Sequence, residues 1–140
     1  MERRKVVEDF VPGADDQVEL TVCFEWHGHP CKSRFDWYTG EDVWDLKTCR
    51  DASPRGFKGA INSFRYFQQA AFYLHGTGMK DFYFIAVSKN GPMSVAVYKL
   101  RQSSIDKGKV SFNIALSDYK KVINAAPSEY EANFGKIVEI

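Results

Sequence analysis

The sequence lacks the features that mark membrane-spanning, secreted or disulfide-rich proteins. None of its apolar runs approaches the length needed to cross a bilayer. Residues 1–10 carry charges but neither a continuous apolar stretch nor a small-residue cleavage pattern, so a secretory signal is not expected. The cysteines number 3 and form no CxxC pair, which fits reduced thiols better than a disulfide framework. We therefore expect a cytoplasmic protein with no membrane partner.

An excess of charge of one sign is also missing. The chain has 19 lysines and arginines against 18 aspartates and glutamates, so its net charge is +1 and any nucleic-acid contact needs a local basic patch. A composition of 44% hydrophobic, 15% aromatic and 26% charged residues is typical of a folded globular protein. A length of 140 residues suits one core, and we predict a single domain over residues 1–140.

Three short strands are predicted in the first part of the chain. Apolar and polar residues alternate over residues 18–26, as in a strand covered on one face. Turn residues at 27–30 and 39–42 separate this run from two further alternating runs, residues 31–37 and 43–48. The sequence therefore predicts three consecutive strands joined by tight turns.

A long helix is predicted next. Ser53 followed by proline is a helix-start signal, the apolar spacing after it is helical, and Gly76 offers a stop. A second stripe with three- and four-residue spacing carries polar groups, and its members are Asn62, Tyr66, Gln69 and Tyr73. We therefore expect one main helix that presents a polar stripe to something other than a hydrocarbon core.

The remaining pattern completes an α/β order. Residues 82–88 and 94–100 are strand-like and flank Asn90-Gly91, a tight-turn signal. An amphipathic helix follows from Ser103 or Ser104. The predicted order is β-β-β-α-β-β-α, with no repeat or low-complexity segment.

Two carboxylates and a lysine can meet on one face of this sheet. Period-two alternation places Asp45 and Lys47 on the same face of the third strand, and Asp36 lies on the neighbouring strand. Carboxylates are the hard ligands that Mg²⁺ prefers, and a lysine ammonium can stabilise negative charge on a phosphate. The pattern contains what phosphodiester hydrolysis needs, although an Asp-x-Lys spacing by itself is more often found on a solvated strand face.

A basic stretch follows the third strand. Its members are Lys47, Arg50, Arg55, Lys58 and Arg65, and only one acid, Asp51, lies between the first and the last of them. Such a local excess of cations suits phosphate groups, although a solvated helix start is the alternative reading.

Other chemistry-bearing residues have simpler explanations. Cys23, His27, His29 and Cys31 could in principle bind zinc, but their close spacing on alternating strand positions makes tetrahedral ligation awkward. The three tryptophans occupy apolar positions and are expected in the core.

These motifs together resemble a known nuclease family. The segment from Glu19 to Tyr73 is similar to the nuclease domain of the exodeoxyribonuclease VIII family, in the PD-(D/E)XK group that includes the lambda-type and RecB-type exonucleases. The resemblance is carried by VELTVCF, CKSRFDW, VWDLKT, RDASPRGFKGAINSFRYF and QQAAFYL. Weaker similarity continues through the last two strands and the final helix.

The resemblance implies a restriction-endonuclease-like core, a small mixed sheet flanked by helices, and Mg²⁺ as cofactor with Mn²⁺ as a possible substitute. It implies a catalytic set of Asp36, Asp45, Lys47 and Gln69. It implies metal ligation at Glu19, Asp36, Asp45 and Leu46. Nucleic-acid contacts are expected from Arg50, Arg55, Lys58, Arg65, Tyr66 and Tyr73.

The function implied is that of an exonuclease acting on duplex DNA ends in phage-type recombination, as a homo-oligomer, with an annealing protein as a possible partner. The alternative is a catalytically impaired nuclease-like DNA-binding or regulatory module. The chain departs from the family at Phe35, where proline is usual, and at Phe67, where histidine commonly follows the tyrosine. The helices that precede the core in relatives are expected to be absent or reduced to the segment from Glu2 to Phe10.

Overall fold

The computed structural model describes residues 13–90 and 94–124, which form five strands and three helices. Their bounds are β1 Gln17–Trp26, β2 His29–Tyr38, β3 Asp42–Cys49, α1 Pro54–Ser63, α2 Tyr66–Thr77, β4 Asp81–Ser88, β5 Val95–Lys99 and α3 Gln102–Asn124. The segment from Glu2 to Phe10, where reduced N-terminal helices were expected, lies outside these residues. So does Gly91 of the predicted turn.

The strands form one mixed sheet in the order β1-β2-β3-β4-β5. Neighbours along the sheet are antiparallel except β3 and β4, which are parallel. A parallel pair requires a crossover, and α1 and α2 supply it between these two strands. The predicted α/β class with a small mixed sheet and flanking helices is confirmed.

The first hairpin forms as the turn signal predicts. His27 and Gly28 both have positive φ, 49° and 78°, and Trp26 pairs with His29. A two-residue turn with positive φ at both positions has the twist that joins antiparallel strands without splaying them. Glycine at the second position reaches this conformation without steric cost.

The prediction of one main helix is wrong, because two helices occupy the segment. The helix is interrupted at Phe64 and Arg65. Arg65 adopts a left-handed conformation, with φ of 54°, between α1 and α2. Apolar spacing runs unchanged through the break, and neither glycine nor proline marks it, so the local pattern could not reveal it. The second helix ends at Thr77, not at Gly76, and Gly78, with φ of 72°, is its C-terminal cap. Gly76 instead lies against the ring of Phe24, where an added Cβ would be 2.6 Å from a ring carbon.

The core lies between the sheet and the helices. Its largest fully buried side chains are Phe35, Phe57, Phe82, Phe84 and Val43. α3 packs closely on α2, since a Cβ added at Gly108 would stand 2.2 Å from the carbonyl oxygen of Phe67.

The tryptophans do not all lie in this core. Trp26 is buried, but Trp37 and Trp44 are half-buried and stack on each other at 4.9 Å. Trp44 also stacks on Tyr83 at 4.3 Å, which extends the row across β2, β3 and β4. The expectation of three core tryptophans is therefore correct only for Trp26. Of the helices in the described ranges, none has the length and apolar character to span a membrane.

Candidate active site

The site lies where β2 and β3 stop pairing. Their ladder contains two residue pairs, Trp37 with Trp44 and Tyr38 with Val43, whereas β3 and β4 pair along the whole of β3. Next to this ladder the carboxylate of Asp36 accepts a hydrogen bond from the main-chain N–H of Leu46 at 2.8 Å. The side chain of Asp36 therefore takes the place of a main-chain partner and is held beside β3.

Asp45 lies one residue before Leu46 and faces the helices. Its side chain is 3% exposed, and Lys47 Nζ lies 2.6 Å from its Oδ2. Gln69 Nε2 on α2 donates a hydrogen bond to the other oxygen, Oδ1, at 3.1 Å. Alternation along β3 puts Asp45 and Lys47 on one face, and α2 brings Gln69 against that face. Two of the four residues assigned to the catalytic set, Lys47 and Gln69, thus both contact a third, Asp45.

The electrostatics of Asp45 are those of a desolvated carboxylate. Burial raises its pKa to about 6 from an ordinary value of 3.8, the ion pair and hydrogen bond from Lys47 oppose that rise, and the negative charge of Asp36 adds to it. Asp36 is hydrogen-bonded to the main chain of Leu46, the residue after Asp45, so the two acids occupy neighbouring positions of the sheet. A cation at this point would offset both the cost of burying the charged Asp45 carboxylate and its repulsion by Asp36.

Lys47 is fixed on its other side by an aromatic ring. Its ammonium lies 4.9 Å from the ring centroid of Tyr66, the first residue of α2. A cation over an aromatic face is attracted by the ring quadrupole. The half-buried lysine is thus held between the carboxylate of Asp45 and the ring of Tyr66.

Glu19 is placed differently from the other acids. It lies opposite Asp36 in the β1–β2 hairpin, at a position where pairing is interrupted and φ is 52°. Its exposed carboxylate forms an ion pair with Arg34. Within residues 13–90 and 94–124 no group of three or more His, Cys, Asp or Glu side chains is arranged to hold a metal. The structure therefore does not join Glu19 to Asp36 and Asp45, and it does not assemble the alternative zinc cluster.

The acids that are together still fit a magnesium ion. Mg²⁺ keeps several waters and is commonly bound by one or two carboxylates plus substrate phosphates. Asp36 and Asp45 supply two such carboxylates. The N–H of Leu46 points toward Asp36, and the N–H and C=O of one strand residue leave the strand on the same side, so the Leu46 carbonyl faces the same gap. This donor set consists of oxygen alone, which suits a hard cation.

The residues expected to contact nucleic acid divide into three groups. Arg50 and Tyr66 line a cavity of about 620 Å³ beside the site. Arg55, Lys58 and Arg65 are not buried and lie on α1 and at the helix break. Tyr73, in contrast, packs edge-on against the buried ring of Phe35 at 4.9 Å and contributes to the core.

Sequence reasoning missed two residues of that cavity, Phe64 and Lys89. Phe64 appeared to continue the apolar stripe of a single helix, so its exposure could not be foreseen. Lys89 directly follows β4, as Arg50 follows the parallel strand β3. Residues that follow neighbouring parallel strands meet at the same sheet edge, where ligands of open α/β sheets commonly bind. That rule is the signal that could have identified Lys89.

The fold and the grouping of Asp36, Asp45 and Lys47 define a PDDEXK-like α/β domain. The chain belongs to the family described as PDDEXK-like domain of unknown function (DUF3799), whose model matches residues 1–132. The resemblance to the PD-(D/E)XK group and the restriction-endonuclease-like fold are thereby confirmed.

Two solved structures share the fold. A candidate exonuclease from Eubacterium rectale superposes with a TM-score of 0.71 at 16% identity, over 99% of this chain and 59% of that one. A protein named SSO0001 superposes with a TM-score of 0.50 at 15% identity, over 94% of this chain and 60% of that one. The chain thus spans less than two thirds of either protein. A comparison with curated proteins gives no match.

Proposed function

We propose that the chain is a Mg²⁺-dependent deoxyribonuclease domain that hydrolyses DNA phosphodiesters. The observation that carries this proposal is the buried carboxylate of Asp45, which contacts Lys47 and Gln69, with Asp36 hydrogen-bonded to the main chain one residue further along β3. A buried carboxylate with a raised pKa, beside a second carboxylate and a lysine, is an arrangement more typical of functional sites than of surfaces. Membership of a PDDEXK-like family supports the same chemistry.

Each residue has a distinct role in the proposal. Asp36, Asp45 and the main-chain carbonyl of Leu46 would hold the cation. When bound, the cation supplies Lewis-acid stabilisation of negative charge on the phosphate. Gln69 holds Asp45 in one orientation through its carboxamide. Glu19, on the strand next to Asp36, would act only through a change of partner from Arg34.

Lys47 acts through its ammonium group on the attacking water or on the phosphate. It donates hydrogen bonds to the attacking water or to a phosphate oxygen and so stabilises charge that develops in the transition state. Tyr66 limits the directions that this ammonium can take, because the ring covers one side of it. Preorganisation of this kind reduces the reorganisation needed during reaction.

The finer form of the proposal is an exonuclease that acts on duplex DNA ends in phage-type recombination, as a homo-oligomer and with an annealing protein as partner. The description of the Eubacterium rectale protein as a candidate exonuclease supports action at ends. Contact of Arg55 and Lys58 with DNA phosphates is supported by their exposure on α1, the helix that follows β3.

The test compares linear and circular DNA. End-labelled duplex and closed circular duplex are incubated with Mg²⁺, Mn²⁺ or chelator, using wild type and the Asp45→Asn variant. We expect cleavage of linear DNA by wild type with either ion, none with chelator, and none by the variant. Mg²⁺ should also raise the melting temperature of wild type more than that of the variant, which reports binding without catalysis. DNA binding without cleavage under any condition would support the impaired module instead.

A further inference from the structure

The break between α1 and α2 brings two aromatic rings into contact. Phe64 and Tyr66 stack with centroids 5.5 Å apart and an interplanar angle of 24°. Residues two apart on a continuous helix do not face each other, so the left-handed turn at Arg65 is what makes this stack possible. A non-glycine residue in that conformation is sterically strained, and such strain is often kept where a site needs it.

The stacked pair reaches from the core to solvent. Tyr66 lies 5.8 Å from the buried ring of Phe84 on its inner side and against the ammonium of Lys47. Phe64 is 69% exposed at the outer end. The two stacked rings, Tyr66 packed against the core and Phe64 exposed, form an aromatic platform beside Lys47.

Two cationic side chains line the cavity next to this platform. Arg50 and Lys89 line it together with Phe64 and Tyr66, and Asp51 is its one acid among the described residues. The carboxylate of Asp51 accepts hydrogen bonds from the N–H and the hydroxyl of Ser53, so it is engaged at the start of α1. The two lining cations therefore exceed the lining acid, which favours an anionic ligand.

The wall of the cavity is held by main-chain contacts. The hydroxyl of Ser88 donates to the carbonyl of Arg50 at 3.1 Å, and the N–H of Lys89 donates to the carbonyl of Cys49 at 2.8 Å. These bonds tie the segments after β3 and β4 together. The main-chain positions from which the Arg50 and Lys89 side chains extend are thus set by the sheet.

We propose that this cavity takes an unpaired nucleotide of the DNA substrate, with its base stacked on Phe64 and its phosphate between Arg50 and Lys89. The inference rests on the proposed nuclease function and names the substrate form that the site engages. Bases stack on exposed aromatic side chains in proteins that bind single strands, and every base has the required flat face. A cavity of about 620 Å³ is within the size range of small-ligand sites. The site would therefore engage a frayed or single-stranded end beside the proposed catalytic residues.

The test measures binding in chelator, so that no cleavage is needed. A single-stranded oligonucleotide carries 2-aminopurine at successive positions, and its fluorescence reports stacking. We expect quenching at one position with wild type and loss of that quenching with Phe64→Ala. The affinity of Phe64→Ala should fall roughly 5- to 100-fold, as expected for one lost base stack. Phe64→Tyr should keep both the quenching and the affinity of wild type. The salt dependence should stay unchanged, because no charge is removed.

Two controls separate stacking from general apolar contact. Ile114 on α3 is 59% exposed and lies outside the cavity lining, so Ile114→Ala should bind as wild type does. An oligonucleotide with an abasic site at the quenched position should lose affinity for wild type but show no further loss with Phe64→Ala.

The proposal is overturned by three results: Phe64→Ala binding like wild type, equal losses from Phe64→Ala and Ile114→Ala, or no binding of single strands by wild type. Failure of the nuclease proposal gives a different result. In that case Asp45→Asn and wild type have the same cleavage behaviour, while the Phe64 differences in chelator persist.

Discussion

Gln69 on α2 donates a hydrogen bond across to Asp45 on β3, at 3.1 Å from its Nε2 to the carboxylate Oδ1. Lys47 engages the other carboxylate oxygen, so the two sides of the carboxylate have different partners. Asp45 is thereby held by a neutral donor from a helix and by a charged donor from its own strand. The predictions below separate these two contributions and the packing that maintains them.

Removing the charge of Asp45 should stabilise the metal-free fold at neutral pH. Burial raises its pKa to about 6 from 3.8, so the folded protein binds more protons than the unfolded chain between these values. Stability from this group is thus present below about pH 4 and lost as pH rises through about 6. As pH rises through that window, the free energy of unfolding of Asp45→Asn should increase relative to that of wild type by roughly 2–3 kcal/mol. Urea denaturation in chelator measures this, and parallel pH curves would contradict it.

Removing the neutral donor should weaken both stability and activity. Gln69→Leu leaves Asp45 Oδ1 without this partner in a buried position, at a cost of roughly 1–3 kcal/mol. The orientation of Asp45 is also lost, so kcat should fall. Gln68→Leu makes the same substitution at the neighbouring, half-buried position and should change neither quantity much. Equal effects of the two variants, by urea denaturation and single-turnover cleavage, would remove the orienting role.

Lys47→Ala should reduce turnover far more than DNA affinity. The ammonium is proposed to act on charge that develops in the transition state, and loss of such an interaction lowers kcat while leaving ground-state binding largely intact. Cleavage kinetics and anisotropy titrations on one labelled duplex measure the two effects. A fall in affinity as large as the fall in kcat would assign Lys47 to binding.

The basic residues on α1 should control the salt dependence of DNA binding. Replacement of both Arg55 and Lys58 by alanine should flatten the log-log salt dependence by roughly one unit of slope per lost phosphate contact. The same double change at Lys109 and Lys120 on α3 removes equal charge away from α1. If the two double variants have equal slopes, α1 has no special phosphate contact.

Substitution by alanine should have opposite effects on stability at Gly108, which lies in the contact between α3 and α2, and at Gly59, which lies on the open surface of α1. An added Cβ at Gly108 would stand 2.2 Å from the Phe67 carbonyl oxygen, so Gly108→Ala should cost roughly 1–3 kcal/mol or more. A Cβ at Gly59 in α1 would meet nothing within 4 Å, so Gly59→Ala should stabilise by up to about 1 kcal/mol. Thermal denaturation measures both, and destabilisation by Gly59→Ala would show that this helix does not respond as its open surface implies.

Local periodicity alone determined much of the sheet. The alternation in β3 correctly separated Asp45 and Lys47 from Trp44 and Leu46, because side chains of a strand alternate between its two faces. The turn predicted over residues 27–30 is present in a shorter form, at His27 and Gly28, because His29 and Pro30 already belong to β2. The family resemblance also came from short segments such as CKSRFDW and VWDLKT, because the residues of each motif lie close together in the sequence.

Only the tertiary structure decided the break at Arg65, the core position of Tyr73 and the exposure of Phe64. A helical stripe specifies which residues share a face, but not what that face meets, and the break preserves the apolar spacing on both sides. The contact between Gln69 and Asp45 joins residues far apart in sequence and exists only because α2 packs on the sheet. Pairing and packing over such distances depend on the whole fold, so they cannot be read from neighbouring residues.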